Sequence, residues 1–114
     1  MEKGNKVIRN GKVAVIVSPG FGAGFVTWSD GISPFEPKIV KMIEEGRQDK
    51  ITERWCQKEL GIKNVYCGGA KDLEIEWLPL GIAFAINEYD GSESIYRSDK
   101  LEYYTGKNPK EKSI

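Results

Sequence analysis

The 114-residue sequence contains no histidine. That absence excludes every Ser-His, Cys-His and histidine-metal arrangement at once. Cysteine is scarce. Cys56 and Cys67 cannot build a multi-disulfide framework or a complete cysteine zinc site. There is no excess charge of either sign, with 17 basic residues against 17 acidic ones. A DNA or RNA polymer as partner would normally demand a basic surplus. A small anionic ligand needs only a few well-placed cations and stays open. Long apolar runs are also missing. Met1 to Lys12 is charged throughout, and Val13 to Val17 is too short for a secretory core. Nothing approaches the roughly 20 apolar residues of a membrane helix. No membrane partner is expected, and a reducing cytoplasm is the expected setting for two free thiols. Together these absences point away from common catalytic machinery and towards a binding protein without cofactor or metal.

What is present suffices for one domain spanning residues 1–114. The apolar share is 39% and the charged share 30%, as in an ordinary globular chain. Asn5 to Arg9 is expected to pair with Lys12 to Ser18 across Asn10-Gly11, a strong hairpin signal. Val13 to Val17 is continuously apolar and reads as a central strand covered on both faces. Phe25-Val26-Thr27-Trp28 reads as a further strand, and Gly31 to Pro37 as a loop. A first helix is expected from Pro37 to Glu45, ended by Gly46, with Ile39, Met42 and Ile43 on its apolar stripe. Ser33-Pro34-Phe35-Glu36 imitates a capping box, but Pro37 would then cost an internal bond. A second helix is expected from about Lys50 to Leu60, capped by Asp49 and closed by Gly61.

The last third returns to strands: Val65-Tyr66-Cys67, Leu73 to Trp77, then Ile82 to Glu88 and Ser92 to Arg97 around Tyr89-Asp90-Gly91. Thr105 to Ile114 is polar and lysine-rich and is expected to be a mobile tail. The fold class is therefore α+β. It has a mainly antiparallel β-sheet, with two short α-helices inserted between the N-terminal and C-terminal strands.

Four groups of residues could carry chemistry. Gly20, Gly22 and Gly24 alternate with Phe21 and Ala23, and such backbone can approach a phosphate closely. No Gly-Lys-Ser/Thr follows, so this is not a P-loop, and no helix follows, so it is not a dinucleotide fingerprint. A plain turn between strands is the competing explanation. Phe21, held between glycines, suits a nucleobase or a partner protein. The aromatic supply is large for this length, and most of it belongs to the core. On Ile82 to Glu88, Ile82, Phe84 and Ile86 share one face and Ala83, Ala85 and Asn87 the other. The small face could floor a shallow pocket or admit a helix. Of the four arginines, Arg54 and Arg97 are the phosphate candidates against a solvated-surface alternative, with Arg9 and Arg47 completing the set. The carboxylates Asp72, Glu74, Glu76, Glu88, Asp90 and Glu93 could in principle serve hydrolysis or a hard cation, but Glu74 and Glu76 alternate as on a wet strand face. Cys56 and Cys67 have no histidine to activate them and read as inert thiols.

Three blocks carry a family resemblance: Lys12 to Gly24 with Trp28, Gly68 to Pro79, and Glu88 to Ser94. They resemble the first-described type of bacteriophage Thoeris anti-defence sponge. The resemblance implies a protein that binds cyclic ADP-ribose-type signals made by bacterial TIR proteins and sequesters them uncleaved, in the cytoplasm of the infected host. Some members of that family also bind cyclic oligonucleotides at a separate site. It implies a homo-oligomer with the ligand at a subunit interface, aromatic stacking on adenine, and arginines on the phosphates. By residue type, Phe21, Phe84, Asn87, Arg54 and Arg97 are suited to those tasks, with Gly22 and Gly24 as close-approach backbone. A phage-encoded protein-binding inhibitor of host defence, with Phe21 as anchor, and a carboxylate-metal nucleotide hydrolase are the rival classes.

Overall fold

The computed structural model describes residues 5–98. The expected mobile tail from residue 105 lies outside the described residues. The chain runs β1 (Ile8–Arg9), β2 (Lys12–Val17), α1 (Pro37–Glu44), α2 (Glu53–Leu60), β3 (Glu74–Pro79), β4 (Phe84–Tyr89) and β5 (Ser92–Arg97). Short 3-10 turns at Gln48–Lys50 and Ala70–Asp72 precede α2 and β3. All strand pairings among the described residues are antiparallel, in a three-stranded sheet of order β1-β2-β3 and a separate β4-β5 hairpin. The fold is α+β, with both helices between the N-terminal and C-terminal strands.

Asn10 and Gly11 both adopt positive φ, 52° and 75°, which closes the first hairpin as a type I′ turn would. β2 is the centre of the molecule. Ala14 and Ile16 on one face join the core with Ile39, Val40, Met42 and Cys56 of the two helices. Val13 and Val15 on the other face join Leu78, with Ile82, Phe84 and Ile95 of the hairpin region packed over them. Helices, sheet and hairpin thus stack as three layers, and the all-apolar run of β2 is the consequence of being covered twice.

The helix ends follow their side chains. The Glu36 carboxylate accepts from Lys38 N–H at 3.1 Å, directly before Pro37 at the first helical position. Thr52, not Asp49, caps α2, its hydroxyl accepting from Trp55 N–H at 3.1 Å. Asp49 sits instead in the preceding 3-10 turn. The expected strands at Phe25–Trp28 and Val65–Cys67 do not form. Phe25 and Thr27 give their N–H groups to a carboxylate, and Tyr66 gives its N–H to the Ser29 hydroxyl, so neither segment has a ladder to join. Arg9 ties β1 to the end of α1 through a two-pronged pair with Glu44, its second contact 3.0 Å long. That hydrogen bond holds the Glu44 carboxyl below its ordinary range.

Candidate functional site

The glycine-rich segment leaves β2 at Ser18, whose hydroxyl donates to Gly69 O at 2.9 Å. It runs across the tip of the β4-β5 hairpin. Gly22 N–H donates to Asp90 O at 2.6 Å, and the Ser92 hydroxyl donates to Pro19 O at 2.7 Å. At its crest Phe21 is 72% exposed, its ring edge-on to that of Tyr89, which is 77% exposed, with centroids 6.5 Å apart. Gly22 is exposed beside it, whereas Gly24 is buried under Trp28 and Glu93. Phe25, four residues from Phe21, is fully buried in the main core.

A second aromatic pair lies next along the same end of the molecule. Trp28 and Tyr66 are tilted against each other at 5.0 Å, and both are exposed. Trp28 Nε1–H donates to Glu88 Oε2 at 3.1 Å, and Gly91 N–H donates to the same oxygen at 2.7 Å. Glu88 therefore ties Trp28 to the turn of the β4-β5 hairpin. An exposed ring held by a hydrogen bond at its polar end, as Trp28 is, can stack on a flat ligand without first reorganising.

Beneath the glycine-rich segment lies Glu93, a residue that the sequence offers only as one more carboxylate. Its side chain is 1% exposed. Oε1 accepts from Ser18 N–H at 2.9 Å. Oε2 accepts from Phe25 N–H and Thr27 N–H, each at 2.8 Å, and from the Thr27 hydroxyl at 2.7 Å. Among the described residues no buried side-chain polar atom lacks a partner, and this carboxylate is the most heavily bonded of them.

The remaining residues singled out by type lie elsewhere. Phe84 pairs across the hairpin with Arg97, at the opposite end from Tyr89 and Ser92. Five strand residues separate those pairs, about 17 Å at strand rise. Phe84 is half-buried and packs edge-on to Phe35 at 5.8 Å, so it serves the core under the hairpin. Asn87 is exposed on the outer hairpin face opposite Ser94. Arg54 is exposed on α2. Within one chain, then, Phe21 and Gly22 come together with Tyr89, and Arg97 at the base of the hairpin does not join them. An open groove of about 450 Å³ beside Gly20 has Lys71 as its cation, with Asp72 and Glu74 as anions.

The thiols are quiet. Cys56 is fully buried and its pKa is pushed up to about 12 by burial and by the neighbouring Cys67 thiol. Burial also raises Cys67. The buried thiol therefore stays protonated and shielded, and a disulfide reagent should leave Cys56 unmodified in the native protein and titrate it once denaturant is added. Fast modification of both thiols without denaturant would show that α2 opens readily. Among the described residues no group of three or more cysteines and carboxylates is placed to hold a metal ion, and no helix is long and apolar enough to cross a membrane. No protein-family model, curated protein or solved structure matches this chain.

Proposed function

We propose that this protein binds a cyclic ADP-ribose-type signalling nucleotide and sequesters it uncleaved, as a phage-encoded anti-defence sponge acting in the cytoplasm of an infected bacterium. The observation that carries the proposal is Phe21. A large ring at 72% exposure, set on a hydrogen-bonded glycine loop and braced against exposed Tyr89, is costly to leave in water and well placed to stack on a base. The exposed backbone of Gly22 beside it leaves room for a ligand to approach. Arg97 lies at the far end of the hairpin from Tyr89, and in the proposal a second copy in a homo-oligomer completes the phosphate contacts. Light scattering should accordingly give more than a monomer mass.

The test uses cyclic ADP-ribose itself. The protein is loaded with it, filtered free of excess, and heated to release what it holds. Recovery of the nucleotide at unchanged mass is expected; an altered mass would make the protein a hydrolase, and no retention would remove the nucleotide. Phe21→Ala should weaken binding by about 1–3 kcal/mol, the worth of one base–aromatic stack, with an unchanged melting temperature. One observation favours a second reading, an inhibitor that docks on a host defence protein: the exposed Trp28 ring is held by the Glu88 carboxylate rather than by a cation. Exposed aromatics of this kind also serve as protein anchors. Retention of a host protein by the wild type and its loss in Phe21→Ala, with no nucleotide held, would favour that reading.

A further inference from the structure

Glu93 faces inward from β5 at a position where an apolar side chain would give the hairpin a simpler core contact. A buried carboxylate is expensive unless donors surround it, and replacing such groups by apolar ones is often neutral or stabilising. Its donors here are not scattered. Ser18 lies at the entry to the glycine-rich segment, and Phe25 and Thr27 lie at its exit, so one carboxylate holds both stems of the segment that carries Phe21. The backbone of Glu93 adds a third tie, its N–H donating to Ser18 O at 2.9 Å. Across the crest, Gly22 is bonded to Asp90 two residues before β5 begins.

We infer that Glu93 is the positioning residue of the ligand site: its carboxylate clamps the two stems of the glycine loop and so sets the Phe21 ring against Tyr89 before any ligand arrives. The part of this inference that concerns ligand rests on the nucleotide reading above; the part that concerns the loop does not. A ring fixed in advance loses less freedom on binding, so the clamp acts on affinity through Phe21 without touching ligand.

Two measurements on Glu93→Gln test it. This isostere preserves volume but has one acceptor oxygen where the carboxylate has two, so its NH2 opposes the N–H donors of one stem and the clamp between the two stems is broken. The first measurement needs no ligand. Amide exchange should accelerate about 100-fold at the stem that faces the NH2, either Ser18 or Phe25 and Thr27, while Ala14 and Ile16 in β2 keep their protection, and the nuclear Overhauser contact between the Phe21 and Tyr89 rings should fade. Unchanged protection at the three amides, a persisting ring contact, or equal loss throughout β2 would overturn the inference. If Glu93→Gln does not fold, Glu93→Asp, which keeps the carboxylate but is one methylene too short to reach both stems, is read the same way. The second measurement is a double-mutant cycle with cyclic ADP-ribose as probe. Glu93→Gln should cost about tenfold in affinity in the wild-type background and less than about twofold in Phe21→Ala. Equal costs in both backgrounds would overturn action through Phe21. A wild type with no affinity for the probe would sink the nucleotide reading alone, and the exchange result would still decide the clamp.

Discussion

Phe25→Ala is expected to lower the unfolding free energy by about 3–5 kcal/mol, the usual range for emptying a buried phenylalanine site. Phe25 is 0% exposed and shares the main core with Ile16, Ile39 and Leu73, although it sits in irregular backbone at the end of a glycine-rich loop. Removing the ring leaves a cavity between the sheet and the loop, and the loop cannot collapse into it freely because its stems are tied to Glu93. At about 4–8 °C per kcal/mol for a domain of this size, the melting midpoint should fall by more than about 12 °C. Phe21→Ala, four residues earlier, should stay within about 0.5 kcal/mol of wild type, as exposed substitutions do. Thermal and urea unfolding of the two variants side by side check the pair. A costlier Phe21→Ala would mean that the loop presents the other ring to solvent and that the proposed stacking surface is misplaced.

The contrast between these two rings shows where the sequence is readable. Phe21 lies between glycines, and that local fact predicts poor burial. Phe25 lies in a run of aromatic and β-branched residues, and that local fact predicts a strand. The strand is absent because a strand needs a neighbour for its N–H groups, and Glu93 takes those of Phe25 and Thr27 instead. No pattern within residues 25–28 records a carboxylate about 65 positions later. The same holds for Glu93 itself. Between Ser92 and Ser94 it reads as one more polar strand residue, and only the seating of the hairpin on the sheet turns it inward. By contrast, the Asn10-Gly11 turn, the start of α1 at Pro37 and the end of α2 at Gly61 are set by interactions within a few residues, and each is legible, while β2 is legible because its unbroken apolar run records burial on both faces.

The site divides along the same line. Residue type singled out Phe21, Gly22, Gly24, Arg54, Phe84, Asn87 and Arg97, and the fold gathers only the first two on an accessible surface with Tyr89. Type says what a side chain can do; it does not say which end of a hairpin it occupies. Phe84 and Arg97 share one rung of the β4-β5 ladder, and Tyr89 and Ser92 share the rung at the turn. That register separates the rings at the tip from the arginine at the base. The oligomer in the proposed function is therefore more than an accompaniment to binding. Without a neighbouring copy, a phosphate beside Phe21 would meet Glu88 and Asp90 of the hairpin tip more readily than Arg97 at its base, and like charges repel at such range.

Gly91→Ala is expected to cost about 2–5 kcal/mol, because two penalties coincide there. The residue closes the β4-β5 turn at φ +85°, after Asp90 at +51°, a conformation that any L side chain resists. An added Cβ would also lie 2.8 Å from Gly22 C and 2.9 Å from Ala23 C, with Ala23 N nearer still. These are backbone atoms, so the crowding is relieved only by moving the glycine loop off the hairpin. That movement strains the Gly22 N–H to Asp90 O bond and draws Ser18 away from Glu93. Gly11→Ala supplies the control. Gly11 has a similar φ of +75°, but nothing lies within 4 Å of its added Cβ, so only the conformational penalty of about 1–2 kcal/mol applies. Urea denaturation of both variants gives the difference, which is the cost of separating loop from hairpin. The nucleotide affinity of folded Gly91→Ala should fall with it, while Gly11→Ala should bind as the wild type does. Equal stability losses in the two variants would show that the hairpin tip is not seated against the glycine loop, and Phe21 and Tyr89 would then no longer form one surface.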